Sequence, residues 1–469
     1  MKTECTPCQL EFPGVGRRQI KARFDGGRIS SDAGALLLKE VEARTGLLAG
    51  AAQCFVDHRD AERIEHSVEE LVTQRVVGLA LGYEDLNDHD ELRHDALLAA
   101  VIGKADPTGE TRIQERDQGK ALAGKSTLNR LELTPSDASP ASRYKKIVAD
   151  EASFDALFVD QFLAAYDKAP KRIVLDVDAT DDLIHGHQEG RFYHGYYRAY
   201  CYLPLYIFCD EHLLCARLRQ SNSDGAAGTV GELGPIVAQI RRAWPQVQII
   251  VRGDSGFCRD ELLRWCESRD IDYVIGLAKN PRLVKAIARE LEHARELHEA
   301  SGEAARVFRD FTYRTLDSWS QPRRVVGKAE HLSKGANPRF IVTSLSSEEY
   351  PAKTLYEDTY CARGDMENRI KEQQLDLFAD RTSTAIMQAN QLRLYFSSLA
   401  YCLLQSLRRL GLQGTSLAKA QCGTIRLKLL KLGAHVRVTV RNIWVSFSQS
   451  YPYASLFSEV HRRLQAVPT

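Results

Sequence analysis

The chain has 469 residues, of which 44% are hydrophobic and 27% are charged, and its 63 Lys and Arg nearly balance its 62 Asp and Glu. This composition excludes a disordered chain, a collagen-like repeat and a small disulfide scaffold, and the length suggests roughly three domains. The formal charge of +1 argues against a nucleic-acid partner unless opposite charges are segregated along the chain.

The eleven cysteines are odd in number and scattered, which favours free thiols in a reducing cytoplasm. Cys5 and Cys8 form one close pair, but no second Cys or His pair follows at zinc-finger spacing, so a terminus without a metal is the simpler interpretation. The longest uncharged stretch, Leu394 to Leu407, is shorter than the roughly 20 residues that span a bilayer. The sequence therefore predicts a soluble cytoplasmic protein with no membrane contact.

Apolar residues at helical spacing predict a helical N-terminal domain over residues 1–168. The pattern then changes to three strands, a helix, a strand, a helix and a strand, at residues 173–178, 199–208, 213–219, 230–243, 247–252, 260–269 and 273–277. Asp210 and Glu211 predict a hairpin turn. A hairpin followed by strand-helix alternation indicates a mixed sheet covered by helices.

A second strand-rich stretch follows a charged helix at residues 281–299, and we interpret residues 301–348 as a β-rich insertion. After Pro351 the chain is predicted to be helical to about residue 410, with a late strand at 437–447. The sequence thus predicts a catalytic core in two parts, residues 169–300 and 349–469, the second of which ends in a basic C-terminal region.

Carboxylates lie at the ends of two predicted strands. Asp176 and Asp178 share one face of the first strand, because side chains alternate with period 2. Asp254 ends another strand, between Gly253 and Gly256, which permit a tight turn. Such oxygen donors suit a hard cation such as Mg²⁺. The alternative is that they are helix caps or turn residues.

A helix after Pro351 carries a third group of polar residues. At 100° per residue the members of this group fall within about 80° of one another: Tyr360, Arg363, Glu367, Lys371 and Gln374. A solvated helix with ion pairs four residues apart would show a similar pattern, so both interpretations stay open on these residues alone.

Taken together, these residues resemble the DDE transposases of bacterial insertion sequences. The last helix of that group carries Tyr, two residues, Arg, three residues and Glu, as Tyr360, Arg363 and Glu367 do here. Its first Asp is usually followed by any residue and Thr, as Asp178 is, and its second ends a strand, as Asp254 does.

The resemblance is greatest to the branch related to the piggyBac-type elements and covers nearly the whole chain. It includes stretches that begin at Phe24, Tyr200, Asp380 and Asn390. One position departs from the pattern, because many relatives carry a Lys where this chain has Gln374. Lys371, one turn earlier on the same face, is the substitute.

The resemblance implies a ribonuclease H-like fold with carboxylates from the first strand, the fourth strand and a later helix. It implies that Asp178, Asp254 and Glu367 are catalytic and hold two Mg²⁺ ions, for which Mn²⁺ may substitute, and that Arg363 and Lys371 contact DNA. Tyr360 would pack the helix or contact the DNA backbone.

The implied partners are double-stranded DNA, both the inverted repeats of the element and its target, and a second copy of the chain in a homodimer. The protein would cleave DNA by hydrolysis and join it by transesterification, in the bacterial cytoplasm and on the nucleoid when acting. The N-terminal domain would help to bind the DNA ends.

Three other interpretations compete. Gly119 to Ser126 matches the phosphate-loop pattern of ATPases, but the preceding residues are too polar for a buried strand, so a loop that enters a helix capped by Ser126 or Thr127 is favoured. His185 and His187 beside Asp181 and Asp182 could begin a metallohydrolase site, although no further His cluster supports it. A domesticated DNA-binding relative with an inactive site is the third.

Charge is in fact segregated along the chain. Residues 381–458 contain seven Arg, three Lys and no Asp or Glu, so that span carries +10 and the remainder +1 − 10 = −9. We expect this segment to contribute a DNA-backbone surface whose affinity falls as salt rises.

Overall fold

The computed structural model describes residues 9–466, and Cys5 and Cys8 lie outside them. Residues 9–149 and 399–466 form one compact unit, and residues 150–398 form another. The second unit begins before the predicted boundary at 168, because the helix Glu151–Ala164 packs through Val159 and Phe162 into the core of that unit.

The second unit is built on a nine-stranded mixed sheet. In chain order its strands are β1 (Arg172–Ala179), β2 (Leu205–Cys209), β3 (His212–Arg217), β4 (Gln248–Gly253), β5 (Asp272–Leu277), β6 (Ala305–Tyr313), β7 (Arg323–Leu332), β8 (Gly335–Ala336) and β9 (Arg339–Thr343). Their spatial order is β3-β2-β1-β4-β5-β9-β7-β6, with β8 beside β7. Strands β1, β4 and β5 are mutually parallel and the other pairings are antiparallel. The predicted mixed sheet is therefore confirmed.

Helices and short helical turns complete this unit. The helices are Glu151–Ala164, Thr229–Ala243, Asp260–Glu267, Pro281–Ala286, Ala288–Ser301, Ala352–Thr354, Gly364–Leu377 and the start of Met387–Leu407. Irregular turns occupy Ser255–Phe257, Leu355–Tyr360 and Cys361–Arg363. A separate three-stranded sheet joins Asp182–Leu183, Ala199–Tyr202 and Phe192–His194.

Side chains along β1 alternate between the two faces of the sheet. Leu175 and Val177 are buried in the main core of the unit. Val174 packs on the opposite side of the sheet, against a smaller core that includes Tyr356. Asp176 and Asp178 share the face of Val174 by the same period of two.

One strand prediction needs correction. The predicted strand at 199–208 is two strands in different sheets, because Pro204 lacks the N–H that would continue the ladder. The strands of the predicted insertion, residues 301–348, pair with β5 through β9. They therefore extend the central sheet.

The first unit is mostly helical, but the part of it within residues 1–168, which was predicted to be helical, also contains short strands. Its helices and helical turns are Ala35–Thr45, Leu47–Gln53, Ala61–Arg63, Val68–Leu81, Leu86–Asp88, His89–Leu92, Ala96–Ile102, Glu115–Asp117, Lys125–Glu132, Arg408–Leu412, Cys422–Ile425, Arg426–Leu430 and Ala454–Ala466. Its strands are Leu10–Val15 with Arg18–Ala22, Phe55–Asp57 with Ile147–Ala149, and Arg28–Ser30 with Ala434–Val438 and Ile443–Phe447.

Several of these strands have only three residues, too few for an alternating pattern to be detected in the sequence. Across residues 9–466, the helices are all too short or too polar to cross a membrane.

Candidate active site

Asp178 lies near the end of β1, with 15% of its side chain exposed. Burial, together with the negative charges of Asp254 and Glu367, raises the pKa of this carboxyl to about 6 against the lowering effect of Arg363. Gly253 lies opposite Val177 in the register of β4 and β1, so Asp254 follows beside Asp178 at this edge of the sheet. Arg363 joins Asp178 to Glu367, which brings the third acid to the same place.

Arg363 bridges two of these acids. Its Nη1 donates to Asp178 Oδ2 at 3.2 Å, and its Nη2 donates to Glu367 Oε1 at 2.7 Å. The second contact spans one helical turn, as expected from the alternative interpretation of a helix with ion pairs four residues apart. Arg363 therefore partly neutralises the acidic site and connects β1 to the helix that carries Glu367.

Asp254 directly follows β4, at the level where β4 runs beside β1. Its Oδ1 accepts a hydrogen bond from the backbone N–H of Gly256 at 2.8 Å and so caps the turn Ser255–Phe257. The cap and the site interpretations are thus compatible, because capping engages one oxygen and the residue is only partly buried.

Tyr360 packs against the smaller core that includes Tyr356 and reaches the turn that follows β4. Its ring lies 5.4 Å from that of Tyr356, and burial raises the pKa of its hydroxyl. Gly276 on β5 provides the necessary space, since a Cβ there would lie 2.6 Å from the Tyr360 hydroxyl and 2.8 Å from the backbone nitrogen of Ser255. This role of Gly276 leaves no signal in the sequence pattern.

The helical geometry before Glu367 differs from the regular helix assumed for the sequence. Leu355–Tyr360 is a π-helical turn and Cys361–Arg363 a 3₁₀ turn, and the regular helix begins at Gly364. The angular positions assigned to Tyr360 relative to Glu367 are therefore wrong, because these turns do not advance 100° per residue.

Asp176 is engaged elsewhere. Arg252 Nε donates to Asp176 Oδ1 at 2.5 Å and Nη2 to Oδ2 at 2.7 Å, and both residues are buried. The same guanidinium donates to the carbonyl oxygen of Thr359, just before Tyr360. This pair connects β1, β4 and the turn before the site, and it leaves Asp178 as the acid on β1 that faces Arg363. A charged residue within the apolar run of β4 was the sequence signal for such a pair.

Gln374, at the position where many relatives carry Lys, binds inside the unit. Its Nε2 donates to Asp182 Oδ1 at 2.9 Å and to the carbonyl oxygen of Asp181 at 3.2 Å. Asp182 is fully buried, and burial raises its pKa to about 8. Lys371, one turn earlier, is exposed to solvent and is thus the accessible cation of that face.

The donor chemistry of the three acids fits a hard divalent cation. Across residues 9–466, no group of three or more His, Cys, Asp or Glu side chains is placed so that it could hold a metal ion as it stands. Asp178, Asp254 and Glu367 are all oxygen donors, and their charges outnumber that of Arg363, which bridges two of them. An acidic group held together by one cation is chemically suited to Mg²⁺.

The competing motifs lack the structure that their functions need. A 3₁₀ turn, Glu115–Asp117, precedes the Gly119–Ser126 segment in place of the strand that a phosphate loop requires. Lys125 Nζ donates to Asn87 Oδ1 at 3.0 Å. Gly124, and neither Ser126 nor Thr127, occupies the N-cap, so that prediction is wrong.

The two histidines of the competing hydrolase site are exposed. His187 Nδ1 lies 2.8 Å from Arg191 Nη2. Both observations are typical of surface-loop residues and give no support to a metal site there.

Several cations of the basic segment 381–458 have structural contacts. Arg408 is buried and donates to the carbonyl oxygen of Ala420. Arg426 donates to the carbonyl oxygen of Ala80 at 2.8 Å, and Lys431 pairs with Asp32 at 2.7 Å. The charge of the segment therefore overstates the surface available to DNA.

Substitution of Gly276 tests the packing of Tyr360 against the site. We expect Gly276→Ala to lower the free energy of unfolding by about 1–3 kcal/mol, because the added methyl group meets backbone that cannot move freely. Gly234→Ala in the helix Thr229–Ala243 is the matched control, because a Cβ added there meets nothing within 4 Å. This substitution should raise the free energy of unfolding by about 0.5–1 kcal/mol. Urea denaturation measures both; equal effects would contradict the close approach.

The family model described as transposase DDE domain group 1 matches residues 12–469 of the chain. A comparison with curated proteins finds no match.

Proposed function

The chain belongs to the transposase DDE domain group 1 family, and from this premise we propose that it is the metal-dependent transposase of a bacterial insertion sequence. It would cleave the inverted-repeat ends of its own element and join them to target DNA. The observation that carries the proposal is the convergence of Asp254, Glu367 and the Arg363 bridge on Asp178.

Asp178, Asp254 and Glu367 would hold two Mg²⁺ ions, or Mn²⁺ in their place. When bound, such ions supply activation of the attacking oxygen and stabilisation of the leaving oxygen in a phosphoryl transfer. The nucleophile is water in cleavage and a DNA 3′-hydroxyl in joining, so a single site serves hydrolysis and then transesterification.

Other side chains near the three acids would position the DNA and the acids themselves. Arg363 holds Asp178 and Glu367 together in the free protein, and its planar guanidinium suits bidentate contact with a DNA phosphate. Lys371 is exposed on the same helix and would provide a second phosphate contact. Tyr360 acts through packing beside the turn that presents Asp254.

The finer assignments from the resemblance belong to the same proposal. A ribonuclease H-like fold is supported by the positions of the acids, since Asp178 lies on the first strand of the sheet, Asp254 follows the fourth and Glu367 lies on a later helix. We further propose the branch related to piggyBac-type elements, a homodimer on two DNA ends, and an N-terminal part that helps to bind those ends.

The direct experiment uses DNA that carries the short inverted repeats flanking the gene. With Mg²⁺ the protein should release cleaved ends, and without a divalent ion it should not. Binding of this DNA without any metal-dependent cutting would instead establish the second candidate, an inactive DNA-binding relative. Lys125→Ala should leave cutting unchanged, because Lys125 contacts Asn87 and the 3₁₀ turn Glu115–Asp117 directly precedes its loop.

A further inference from the structure

A three-stranded sheet in the first unit has one buried and one exposed face. Its strands are ordered Ile443–Phe447, Ala434–Val438 and Arg28–Ser30. Ala434 and Val436 are buried on the inner side, in a core that includes Leu97. The outer side chains alternate with these and point to solvent.

We name this outer surface the ribbon face and define it by Ile29, His435, Arg437, Trp444 and the hairpin tip 439–442. Trp444 is 53% exposed and Ile29 68% exposed. Both side chains leave apolar surface on the exposed face of the sheet.

Arg437 and Trp444 are directly opposite in the register of the hairpin. The guanidinium carbon of Arg437 lies 6.0 Å from the centroid of the indole ring, which is within the range of a cation–π contact. Hydrogen bonds between Thr439 and Asn442 order the tip, where Val440 and Arg441 are exposed. The cations of this face are thus presented by an ordered ribbon.

The charge of the ribbon face is uniformly positive. Its charged residues are Arg437 and Arg441, and residues 26–31 and 433–451 contain no Asp or Glu. Arg28 lies opposite Val436 in the register and therefore on the inner side of the sheet. On the neighbouring 105–111 loop, Glu110 pairs with Arg28 at 3.3 Å and Asp106 accepts hydrogen bonds from Thr108 and Thr111. Within residues 9–466, neither Arg437 nor Arg441 forms an ion pair with an acidic side chain, so their charge is available to an anionic partner.

We propose that the ribbon face binds duplex DNA, with Arg437 and Arg441 contacting phosphates and the hairpin tip in a groove. The inference rests on the proposed function, which makes DNA the substrate, and it adds the surface that holds the DNA. A two-stranded ribbon has the width that a major groove of about 12 Å admits, and guanidinium groups match phosphate geometry. Trp444 orients Arg437 by lying beneath it.

Fluorescence anisotropy with a short labelled duplex tests this surface in the full-length protein. The slope of log affinity against log salt is negative, and each lost phosphate contact makes it less steep by about 0.9. Arg437→Ala with Arg441→Ala should therefore reduce the steepness by about 1.8 and weaken binding between tenfold and roughly 60-fold at about 0.1 M salt. Trp444→Ala should cause part of this loss. Unfolding midpoints should match the unsubstituted protein, because these side chains are exposed.

Lys419→Ala is the matched control, since Lys419 is exposed and lies in the same acid-free segment but outside the ribbon face. An equal loss for Lys419→Ala, an unchanged salt slope in the double variant, or a preference for single-stranded DNA would overturn the inference. If the double variant binds normally while the unsubstituted protein cuts DNA with Mg²⁺, only the ribbon face fails. If the unsubstituted protein binds DNA through this face but never cuts it, only the proposed activity fails.

Discussion

Glu367→Gln is expected to lower the rate of DNA cleavage at least about a thousandfold while leaving DNA binding intact. The substitution keeps the size of the side chain but removes a charged oxygen donor, and loss of about 4 kcal/mol of charge stabilisation in a phosphoryl transfer corresponds to a factor of that order. Single-turnover cleavage of end DNA in Mg²⁺ measures the rate.

Asp365→Asn is the matched control for Glu367→Gln. Both acids lie in the first turn of the helix Gly364–Leu377, so both substitutions remove the same favourable interaction with the helix dipole. Asp365 is two residues away, about 200° around the helix, and is exposed. Cleavage by Asp365→Asn should stay within about twofold of the unsubstituted rate. Similar losses in the two variants would mean that helix stability, and not the site, determines the effect.

Arg252→Met is expected to lower the free energy of unfolding by about 3–5 kcal/mol. It removes both hydrogen bonds to Asp176 and leaves a buried carboxyl without its cationic partner. The thioether side chain approximately preserves the volume, so the loss reports the broken pair more than a cavity. Urea denaturation provides the measurement.

Two further variants isolate that pair. Arg295→Met removes an exposed arginine that pairs with Glu292 and should cost less than about 1 kcal/mol. Asp176→Leu combined with Arg252→Met should recover part of the stability lost in the single variant, because no unpaired charge stays buried. The two residues do not act as a pair if the loss of unfolding free energy in the double variant equals the sum of the losses in Arg252→Met alone and Asp176→Leu alone.

These two predictions separate the neighbouring acids of β1 by function. Asp176 pairs with Arg252 in the interior, whereas Asp178 is bridged by Arg363 to Glu367. Loss of the first pair should therefore affect stability, and loss of an acid from the second group should affect cleavage. The sequence motif alone favoured Asp178, and the contacts give a physical basis for that choice.

The periodicity of the sequence predicted most strands of the central sheet and part of the candidate site. Alternation placed Asp176 and Asp178 on one face, and the spacing of four residues predicted the contact between Arg363 and Glu367. Both are local properties, because they depend only on the geometry of a strand or a helical turn. The hairpin at Asp210 and Glu211 was likewise predicted from local turn residues and is present.

The features that sequence reasoning missed depend on register and close packing. Arg252 and Asp176 are 76 residues apart and meet only because β4 lies parallel to β1 with those residues opposite each other. The space at Gly276 exists because Tyr360 arrives from a distant turn. The π-helical turn before Tyr360 also lies outside the 3.6-residue period on which helix prediction depends.

The near-zero net charge of the chain has a structural explanation. Some cations of the basic segment stabilise the interior, as Arg408 and Arg426 do, whereas Arg437 and Arg441 are exposed. A net charge of +1 is therefore compatible with local positive surfaces and an acidic site on the same chain. The basic segment is evenly positive in the sequence, but only its exposed cations can contact a partner.

Cleavage of end DNA by Asp254→Ala in Mg²⁺ is the most direct test of the site. Asp254 contributes to the electrostatic environment of Asp178 while itself lying outside the Arg363 bridge, so its loss removes one acid without breaking that bridge. We predict that the variant binds the DNA with unchanged affinity and releases no cleaved ends, whereas the unsubstituted protein does so only with a divalent ion. Cleavage by Asp254→Ala at the unsubstituted rate would contradict the assignment of these three acids as the catalytic site.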